Sequence, residues 1–403
     1  METIVLLGAA LLLMRVGQVL YTTGLCRSKN AAGTAMRGVA DLCVATLAFW
    51  AVGAAVLLQQ HNRVFGFDAG MLLGWSGERR QLFVYAAAIL LATGVVGGTL
   101  AERSRFFPLC AASVLLAALV VPVAGHWAWH GWLRGLGFTD PAGASVLHVG
   151  AGMCAAVGAI VTGPRTGKYN RDRSANMIPG HNVPLAAVGA LLMLVAWFPY
   201  VIGCGILHPA NSLLSVRQLP DPMNLLVAAA AGGAAAMVLG YSRYRKADIV
   251  LTLAGLLGGL VAVSAADHRL GSPSAFVIGL IAGLLVPLSA VALDLVGHVD
   301  DPTSGVAIHG VAGAWGTLAV AIFSPGSFAE RLKALGVQAL GLVAIVALSA
   351  GLSLALFAVM KATVGLRLKE ADEYDGLDLA EHDIGAYPDF QQTMIKSYHL
   401  REA

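Results

Sequence analysis

Long apolar runs, separated by short polar connections, extend from the N-terminus to about residue 362. A helix needs about 20 apolar residues to cross the hydrocarbon core of a bilayer. The runs are solid and do not alternate as in a membrane β-barrel, so they predict helices. We therefore expect an all-α polytopic membrane protein with eleven transmembrane helices, at about 3–22, 38–59, 81–101, 107–124, 143–162, 183–206, 222–241, 249–265, 274–296, 304–323 and 334–362.

The composition supports this reading and excludes several classes of protein. Hydrophobic residues make up 57% of the 403 residues and charged residues only 12%, whereas a soluble domain carries about 25% charged residues. A soluble enzyme is therefore excluded, and a lipid bilayer is the expected surrounding. The net charge of +3 is too small to indicate a nucleic acid partner.

The distribution of positive charge predicts the orientation in the membrane. With the N-terminus outside, the inner connections hold 12 Lys or Arg residues and the outer connections hold 8, as the positive-inside rule requires. The sequence thus predicts a membrane domain at 1–362 and a cytoplasmic C-terminal tail at 363–403, in a membrane of the bacterial inner type.

A short motif occurs twice and suggests an internal repeat. The pattern D-P-x6-H-x2-A-G begins at Asp140 and again at Asp301, so that it opens the fifth and the tenth predicted helix with His148 and His309. Under the eleven-helix count these helices run in opposite directions. The chain therefore has the plan of an inverted five-plus-five repeat, which is common in transporters.

The repeat indicates how the two histidines are placed. Asp favours the N-cap and Pro the first helical position, so each histidine is expected about two turns, or roughly 10 Å, inside its helix. Helices entering from opposite faces would bring both imidazoles near the midplane. Two neutral imidazoles can hydrogen-bond to each other, which suits a path for a small neutral molecule or a proton relay. A simple packing role is the alternative.

Other chemistry is not indicated by the motifs. A metal site needs three or four ligands, and no third ligand accompanies the repeat. The chain lacks an HExxH motif, a nucleophile elbow and a phosphate-binding loop. We expect no metal, no cofactor and no enzymatic activity.

Several segments resemble the ammonium transporter family (Amt/Mep/Rh). They are DDPTSGVAIHGVAGAWGTLAVAIF at 300–323, SVLHVGAG at 145–152, HNVPLAAVGALLMLVAWFPYVIGCG at 181–205, LYTTGLCRSKN at 20–30, LAERSRF at 100–106 and the tail GLRLKEADEYDGLDLAEHDIGAY. The resemblance covers essentially the whole chain. It implies eleven helices per subunit, a homotrimer, and one pore in each subunit for ammonium or ammonia.

The resemblance also implies roles for individual residues. His148 and His309 would be the paired histidines that line the pore. Asp140 would stabilise an outer ammonium site without touching the ion, and Trp129 would be the tryptophan on which the cation rests. The spacing between these two is one residue short of the family pattern, so two further tryptophans of the outer loop HWAWHGW, Trp127 and Trp132, are reserve candidates.

The chain departs from the family pattern at the pore entrance. The two stacked phenylalanines that close the pore fall at Ala88 and Tyr200, and the pore-mouth serine falls at Cys204. Phe83 or Tyr85 would fill the space at Ala88 if the register differs. The expected outer site is therefore poorer in hydrogen bonds and lacks the outer gate.

Three functions remain open from these residues. The first is a channel that recruits ammonium, deprotonates it and passes ammonia along the twin-histidine pore. The second is an ammonium sensor that conducts little, and the third is a channel for another small molecule such as carbon dioxide or methylamine.

A cytoplasmic control is also expected. Family members are blocked from this side by PII-type signalling proteins. The basic inner loop and the acidic tail are expected to dock, through Arg165, Lys168, Arg171 and Arg173 on one segment and Glu370, Asp372, Glu373, Asp375 and Asp378 on the other.

Overall fold

The computed structural model describes residues 2–74, 79–207, 221–266 and 269–388. In these ranges nine helices are long and apolar enough to cross a membrane, and two shorter apolar helices accompany them, which together form an all-helical membrane domain. The helices are α1 (Glu2–Leu25), α2 (Ser28–Leu57), α3 (Arg79–Thr99), α4 (Phe106–Gly135), α5 (Ala144–Thr162), α6 (Val183–Leu207), α7 (Pro222–Tyr244), α8 (Ile249–Val263), α9 (Ser272–Leu295), α10 (Val306–Ile322), α11 (Phe328–Thr363), α12 (Glu370–Asp375) and α13 (Leu377–His382).

Glycines bring the helix backbones into direct contact. A Cβ atom on Gly17 of α1 would lie 2.6 Å from the carbonyl oxygen of Gly189 in α6, and one on Gly189 would lie 2.4 Å from the amide nitrogen of Tyr21. Between α7 and α9, a Cβ on Gly283 would lie 2.1 Å from the carbonyl oxygen of Gly232. Small residues at such crossings are typical of helices that associate in lipid.

The helix boundaries differ from the predicted runs where polar residues continue a helix. α4 extends to Gly135, so the HWAWHGW segment, predicted as a loop, is mostly helical. α2 already begins at Ser28 and α11 at Phe328. A helix predicted from hydropathy ends at the first charged or polar residues, whereas the backbone hydrogen bonds of the real helix continue beyond the apolar layer.

Five short π-helical turns interrupt the helices of the described bundle. Three of them carry residues that the sequence analysis singled out: His126–His130 contains Trp129, Ala144–Val149 contains His148, and Val306–Val311 contains His309. The others are Phe49–Gly53 and Leu116–Val120. A π-turn adds one residue to a helical turn and is frequent at functional sites, so these turns mark Trp129, His148 and His309 as candidate functional residues.

The two ends of the bundle carry different structures. We call the end with Trp129 and the 57–66 connection the Trp129 face, and the end with the C-terminal helices the tail face. The tail lies against the bundle: the Leu368 amide donates to the Arg103 carbonyl at 2.9 Å, and the Arg105 amide donates to the Leu366 carbonyl at 2.9 Å. The predicted tail therefore begins as an ordered segment.

Helix α13 docks onto the start of α2. The carboxylate of Asp378 accepts hydrogen bonds from the backbone amides of Gly33 at 2.7 Å and Ala32 at 3.2 Å. The Leu377 amide donates to Asn30 Oδ1 at 2.9 Å. Free amides and a positive dipole end make a helix N-terminus a favourable site for a carboxylate, so Asp378 acts as a cap supplied by the tail.

Two further tail carboxylates complete the docking. Glu381 accepts a hydrogen bond from the Phe106 amide at 2.9 Å and forms an ion pair with Arg37 at 2.6 Å. Glu373, with 1% of its side chain exposed, accepts from the Thr166 amide at 2.6 Å. Backbone amides are thus the main partners of the tail.

The predicted partners of the tail on the basic loop are wrong in detail. Arg165 forms ion pairs with Glu102 at 2.7 Å and Asp300 at 2.8 Å, and Lys168 pairs with Asp294 at 2.8 Å. These three acids belong to the membrane domain and not to the tail. A buried arginine such as Arg165 needs an ion-pair partner that is held in a fixed position. Of the five tail acids, Glu373 contacts the loop, through the Thr166 amide, and Asp378 contacts α2.

The Arg165–Asp300 pair secures the connection that leads into α10. Burial opposes ionisation of Asp300, but hydrogen bonds from Arg165 and the charges of Arg165 and Arg103 outweigh it and lower its pKa from 3.8 to about 2. The stabilisation from this carboxylate is therefore present above pH 3.8 and is lost as the pH falls through about 2.

A candidate substrate pathway around two histidines

Two histidines meet in the centre of the bundle, as the repeat predicts. His148 Nδ1 and His309 Nδ1 are 2.9 Å apart, and the rings are stacked with centroids 5.0 Å apart and an interplanar angle of 14°. Both side chains are buried, His148 completely and His309 with 9% exposed. The rings therefore form one hydrogen-bonded unit between α5 and α10.

The two D-P motifs build equivalent loops at opposite faces. Asp140 Oδ2 accepts hydrogen bonds from the amides of Ser145 and Val146, both at 3.0 Å. Asp301 Oδ2 accepts from the Val306 amide at 2.7 Å. Each carboxylate thus binds the free amides of the helix that carries a histidine.

The expected depth of the histidines is wrong by about one turn. The fourth residue of each motif is left-handed, with φ +77° at Gly143 and +54° at Ser304. This conformation delays the helix, so α5 begins at Ala144, and His148 lies about one turn inside it. The motifs form a turn before the helix, instead of an N-cap followed directly by a proline.

The hydrogen bonds of Tyr200 assign the protons of the histidine pair. Tyr200 Oη donates its only proton to the Ala142 carbonyl. Its oxygen lies 3.4 Å from His148 Nε2, and we assign to His148 the tautomer that donates there through Nε2–H. A neutral His148 with this tautomer accepts at Nδ1, and His309 therefore donates through Nδ1–H. The second nitrogen of His309, Nε2, is then an acceptor.

Trp129 lies beside the first D-P motif. Its indole Nε1 donates to the Asp140 carbonyl at 2.7 Å, and its ring stacks on Tyr85 with centroids 5.8 Å apart at 27°. The indole is 5% exposed. Trp127 and Trp132 instead contact each other edge to face at 5.9 Å, and hydrogen bonds tie both residues to the 57–66 connection.

The positions singled out on α3 and α6 have different surroundings. Tyr85 supplies the aromatic ring on α3, whereas Ala88, one turn further, contributes a buried methyl group. Phe83 faces α1, because a Cβ on Gly8 would lie 2.5 Å from its ring. Cys204 is 5% exposed and lies within electrostatic range of Asp140, Tyr85 and Tyr200.

Two aromatic rings contact His148. Trp197 stacks on His148 with centroids 5.4 Å apart at 8°, and Tyr200 contacts the same imidazole edge to face at 6.1 Å. The Trp197 indole donates to Ser264 Oγ at 2.9 Å. Trp197 was missed by sequence reasoning, since a tryptophan in an apolar run is indistinguishable from a core residue.

A second tyrosine occupies the equivalent place on the other side of the pair. Tyr21 Oη donates to the Thr303 carbonyl at 3.3 Å, two residues after Asp301, as Tyr200 donates to Ala142, two residues after Asp140. A cavity of about 20 Å³ lies here, lined among others by Tyr21, Thr303 and His309. The echo Tyr-x-x-Gly at 21–24 and 200–203 was the available signal for this role.

The sequence matches a family model along nearly its whole length. The model describes the Ammonium Transporter Family and covers residues 2–387. The chain belongs to the ammonium transporter family. The family resemblance read from the sequence motifs is thereby confirmed, and the chain is a multi-pass membrane protein of this family.

Relatives named as ammonium transporters agree with this assignment. The chain is 32% identical to "Ammonium transporter Amt2" of Archaeoglobus fulgidus, in an alignment that covers 96% of this chain and 87% of the relative. It is 30% identical to "Ammonium transporter Amt1" of Haloferax mediterranei, with 94% and 77% covered. These relatives are transporters by name, and no enzymatic activity is indicated.

Solved structures share the fold. A structure named "Sensor Amt Protein" is similar with a TM-score of 0.86 and 32% identity, covering 94% of this chain and 97% of that chain. The crystal structure of Saccharomyces cerevisiae Mep2 has a TM-score of 0.80 at 23% identity, with 91% and 87% covered. The second similarity concerns the fold alone.

Proposed function

We propose that this protein carries ammonium nitrogen across a membrane by recruiting ammonium at the Trp129 face, removing a proton and passing ammonia along His148 and His309. The observation that carries the proposal is the buried imidazole pair with Nδ1 atoms 2.9 Å apart. A neutral hydrogen-bonded pair offers partners to a small polar molecule, while an unpaired cation at this depth is strongly disfavoured.

The entrance has the groups that an ammonium ion requires. Tyr85 and Trp129 present stacked rings, and a cation over such a face gains about 0.5–2 kcal/mol. Asp140 is buried close by, and its Oδ1 has no hydrogen-bond partner in the described part of the chain. We assign cation binding to Trp129 and Tyr85, and long-range stabilisation to Asp140.

Tyr200 and Cys204 distinguish this proposed entrance from the family pattern. The hydroxyl of Tyr200 joins Ala142 to His148, so the residue at the inner gate is tied to its surroundings by hydrogen bonds. Cys204 replaces a hydroxyl with a thiol, which is a weak donor and acceptor. Ala88 leaves the outer gate without an aromatic ring, and Tyr85 takes that place in our proposal.

The equivalent hydrogen bonds around Asp140 and Asp301 support an inverted five-plus-five repeat of α1–α5 and α6–α10. We further propose a homotrimer in the inner membrane, with the N-terminus outside and the tail face in the cytoplasm. Support comes from the charge bias of the connections and from membership of the family. In this arrangement residues 1–362 conduct and 363–403 form the regulatory tail.

The tail is proposed to control transport from the cytoplasm, in company with a PII-type protein. Asp378 binds the N-terminus of α2, and Glu381 pairs with Arg37 of the same helix. Movement of the tail would therefore change the restraint on α2. A protein that binds the tail face could use this connection.

A sensor with little conduction is the second candidate. It is favoured by the Tyr200 hydrogen bonds, which hold the Tyr200 ring against His148. The similarity to the structure named "Sensor Amt Protein" at 32% identity points in the same direction. In this case ammonium would bind beside Trp129 without rapid passage.

Transport by purified protein in liposomes tests these candidates. An ammonium gradient is applied, and internal alkalinisation is recorded for the wild type, His148→Ala and protein-free vesicles. The matched control is His298→Asn, which replaces a histidine on the tail face. Asparagine tolerates the left-handed φ of +52° at this position.

A channel gives wild-type and His298→Asn rates well above those of His148→Ala. A sensor gives wild-type rates equal to those of empty vesicles, together with saturable ammonium binding. Equal rates in the wild type and His148→Ala, both above background, would contradict the proposed pathway.

A further inference from the structure

A buried ion pair lies inside the membrane domain. Arg15 of α1 pairs with Asp41 of α2, and their side chains are 5% and 9% exposed. Arg15 is ten residues before the end of α1 at Leu25, about 15 Å from that end. A buried ion pair adds little to the stability of a protein, because the cost of desolvating both charges offsets their attraction. An ionisable residue inside a membrane is therefore a candidate for a functional role.

Arg15 holds the side chain of a glutamine. Its Nη1 donates to Gln18 Oε1 at 3.0 Å, and Gln18 Nε2 donates to the Leu91 carbonyl at 3.0 Å. The contact depends on Gly94, where a Cβ would lie 2.0 Å from Arg15 Nη1 and 2.2 Å from Gln18 Oε1. The amide oxygen of Gln18 therefore accepts from the Arg15 guanidinium. The amide nitrogen of Gln18 donates one proton to the Leu91 carbonyl and keeps a second proton for another partner.

Gln18 lines the cavity of about 20 Å³ that His309 also lines. A space of this size holds one molecule as small as water. Gln18 precedes Tyr21 by three residues, as Trp197 precedes Tyr200. Since Trp197 stacks directly on His148, Gln18 takes the corresponding place beside the other histidine.

We propose that Gln18 is a specificity-determining residue of the pathway on the tail side of the histidines, and that Arg15 and Asp41 position it. The inference rests on the proposed conduction of ammonia. Gln18 supplies an N–H donor to the cavity, and His309 supplies the acceptor Nε2.

The two groups together suit a neutral molecule. Ammonia accepts at its lone pair and donates through its protons, so it satisfies Gln18 and His309 at once. Ammonium has no lone pair, and it would meet both the N–H of Gln18 and the nearby charge of Arg15 without a counter-charge other than Asp41. Water fits equally well, so the cavity discriminates against cations and does not distinguish ammonia from water.

The test compares three substitutions of Gln18 in proteoliposomes. Gln18→Leu and Gln18→Met remove the donor at similar volume, while Gln18→Glu replaces it with an acceptor. Asn224→Leu is the matched control, because Asn224 is a buried amide in α7 that bonds to Leu270 and Ser272. Ammonia entry is followed by internal alkalinisation, and ammonium and K⁺ currents are recorded on solid-supported membranes.

We expect Gln18→Leu and Gln18→Met to lower ammonia entry roughly fivefold, the size of one neutral hydrogen bond, and Gln18→Glu to admit a cation current. Asn224→Leu keeps the wild-type flux and selectivity. Wild-type flux in Gln18→Leu and Gln18→Met, or an equal loss in Asn224→Leu, would overturn the inference alone. A wild type no faster than empty vesicles would overturn the proposed function and this inference together.

The positioning role of the ion pair is tested by Arg15→Leu combined with Asp41→Leu. The double substitution leaves no unpaired buried charge. We expect an assembled protein in which the ratio of cation current to ammonia entry rises at least about threefold, a readout that a purely structural pair would not change. An unchanged ratio removes Arg15 and Asp41 from the inference.

Discussion

The two sides of the histidine pair share a backbone plan and differ in chemistry. On the Trp129 side, Trp197 and Tyr200 surround His148 with rings, and on the tail side Gln18 and Tyr21 border a small cavity beside His309. Each tyrosine donates to a carbonyl two residues after the aspartate of its D-P motif. Equivalent scaffolds thus present an aromatic environment on one side and hydrogen-bonding groups on the other.

This difference suits a change in the state of the substrate along the pathway. Aromatic faces stabilise a cation, whereas a paired donor and acceptor stabilise a neutral polar molecule. The two environments are separated by the 2.9 Å contact between the imidazoles. The substitutions below test whether the two sides contribute as differently as their chemistry implies.

The largest effect is expected from the histidines themselves. His148→Ala or His309→Ala leaves the other imidazole without its partner in a buried path, which costs about 1–3 kcal/mol. We expect ammonia entry into proteoliposomes to fall at least about tenfold while the protein remains assembled. Unchanged rate and selectivity in both variants would contradict the role of the pair.

The next effect concerns the aromatic side alone. Trp129→Ala removes the ring that stacks on Tyr85, and the loss of a cation–π contact corresponds to an apparent ammonium affinity about tenfold weaker. The ammonium concentration dependence of internal alkalinisation in proteoliposomes measures it. Trp132→Ala is the control and keeps its affinity. Equal losses in both would mean that the site is not centred on Trp129.

The two tyrosines compare the sides directly. Tyr200→Phe breaks the hydrogen bond to Ala142 that holds the ring above His148, and we expect flux to rise about fivefold. Tyr21→Phe breaks a long bond of 3.3 Å, and the expected change is less than about twofold. Stopped-flow alkalinisation of proteoliposomes measures both. A larger effect from Tyr21→Phe would reverse the assignment of the closed side.

A smaller effect is expected at Cys204. Cys204→Ser places a stronger hydrogen-bonding group near Asp140, and apparent ammonium affinity should improve about two- to fourfold. Cys154→Ser, on α5 and outside the entrance, is the matched control. If Cys204→Ser binds ammonium as the wild type does, the entrance relies on its aromatic rings.

The smallest effect on the pathway is expected from the tail face. Truncation after Leu366 removes the Asp378 cap and the Glu381–Arg37 pair. Because loss of a helix cap costs about 1 kcal/mol, the bundle stays folded, and we expect flux to change about two- to threefold. Asp378→Ala should reproduce the change, and Asp375→Asn, at an exposed residue, should not. Wild-type flux after truncation, with or without a co-expressed PII protein, would remove the regulatory role.

Much of the fold could be predicted from hydropathy, since the nine long apolar helices and the two shorter ones in the described part of the chain each coincide with a predicted run. The extent of α4 could not, because hydrogen bonds continue the helix through HWAWHGW where polar residues begin. The D-P motifs predicted that His148 and His309 would meet, because two helices of similar depth enter from opposite faces. Their depth was overestimated, because Gly143 and Ser304 adopt left-handed backbone conformations. A sequence motif does not reveal such conformations.

The sequence by itself determined the membrane domain, the family and the pair of histidines, because apolar length and repeated spacing are properties of the chain read in order. The tertiary structure decided which tryptophan stacks on Tyr85, which rings surround His148, and that Gln18 and His309 line one cavity. It also decided that the tail docks on backbone amides. These outcomes depend on contacts between residues far apart in sequence, and their energies arise only when the helices pack together.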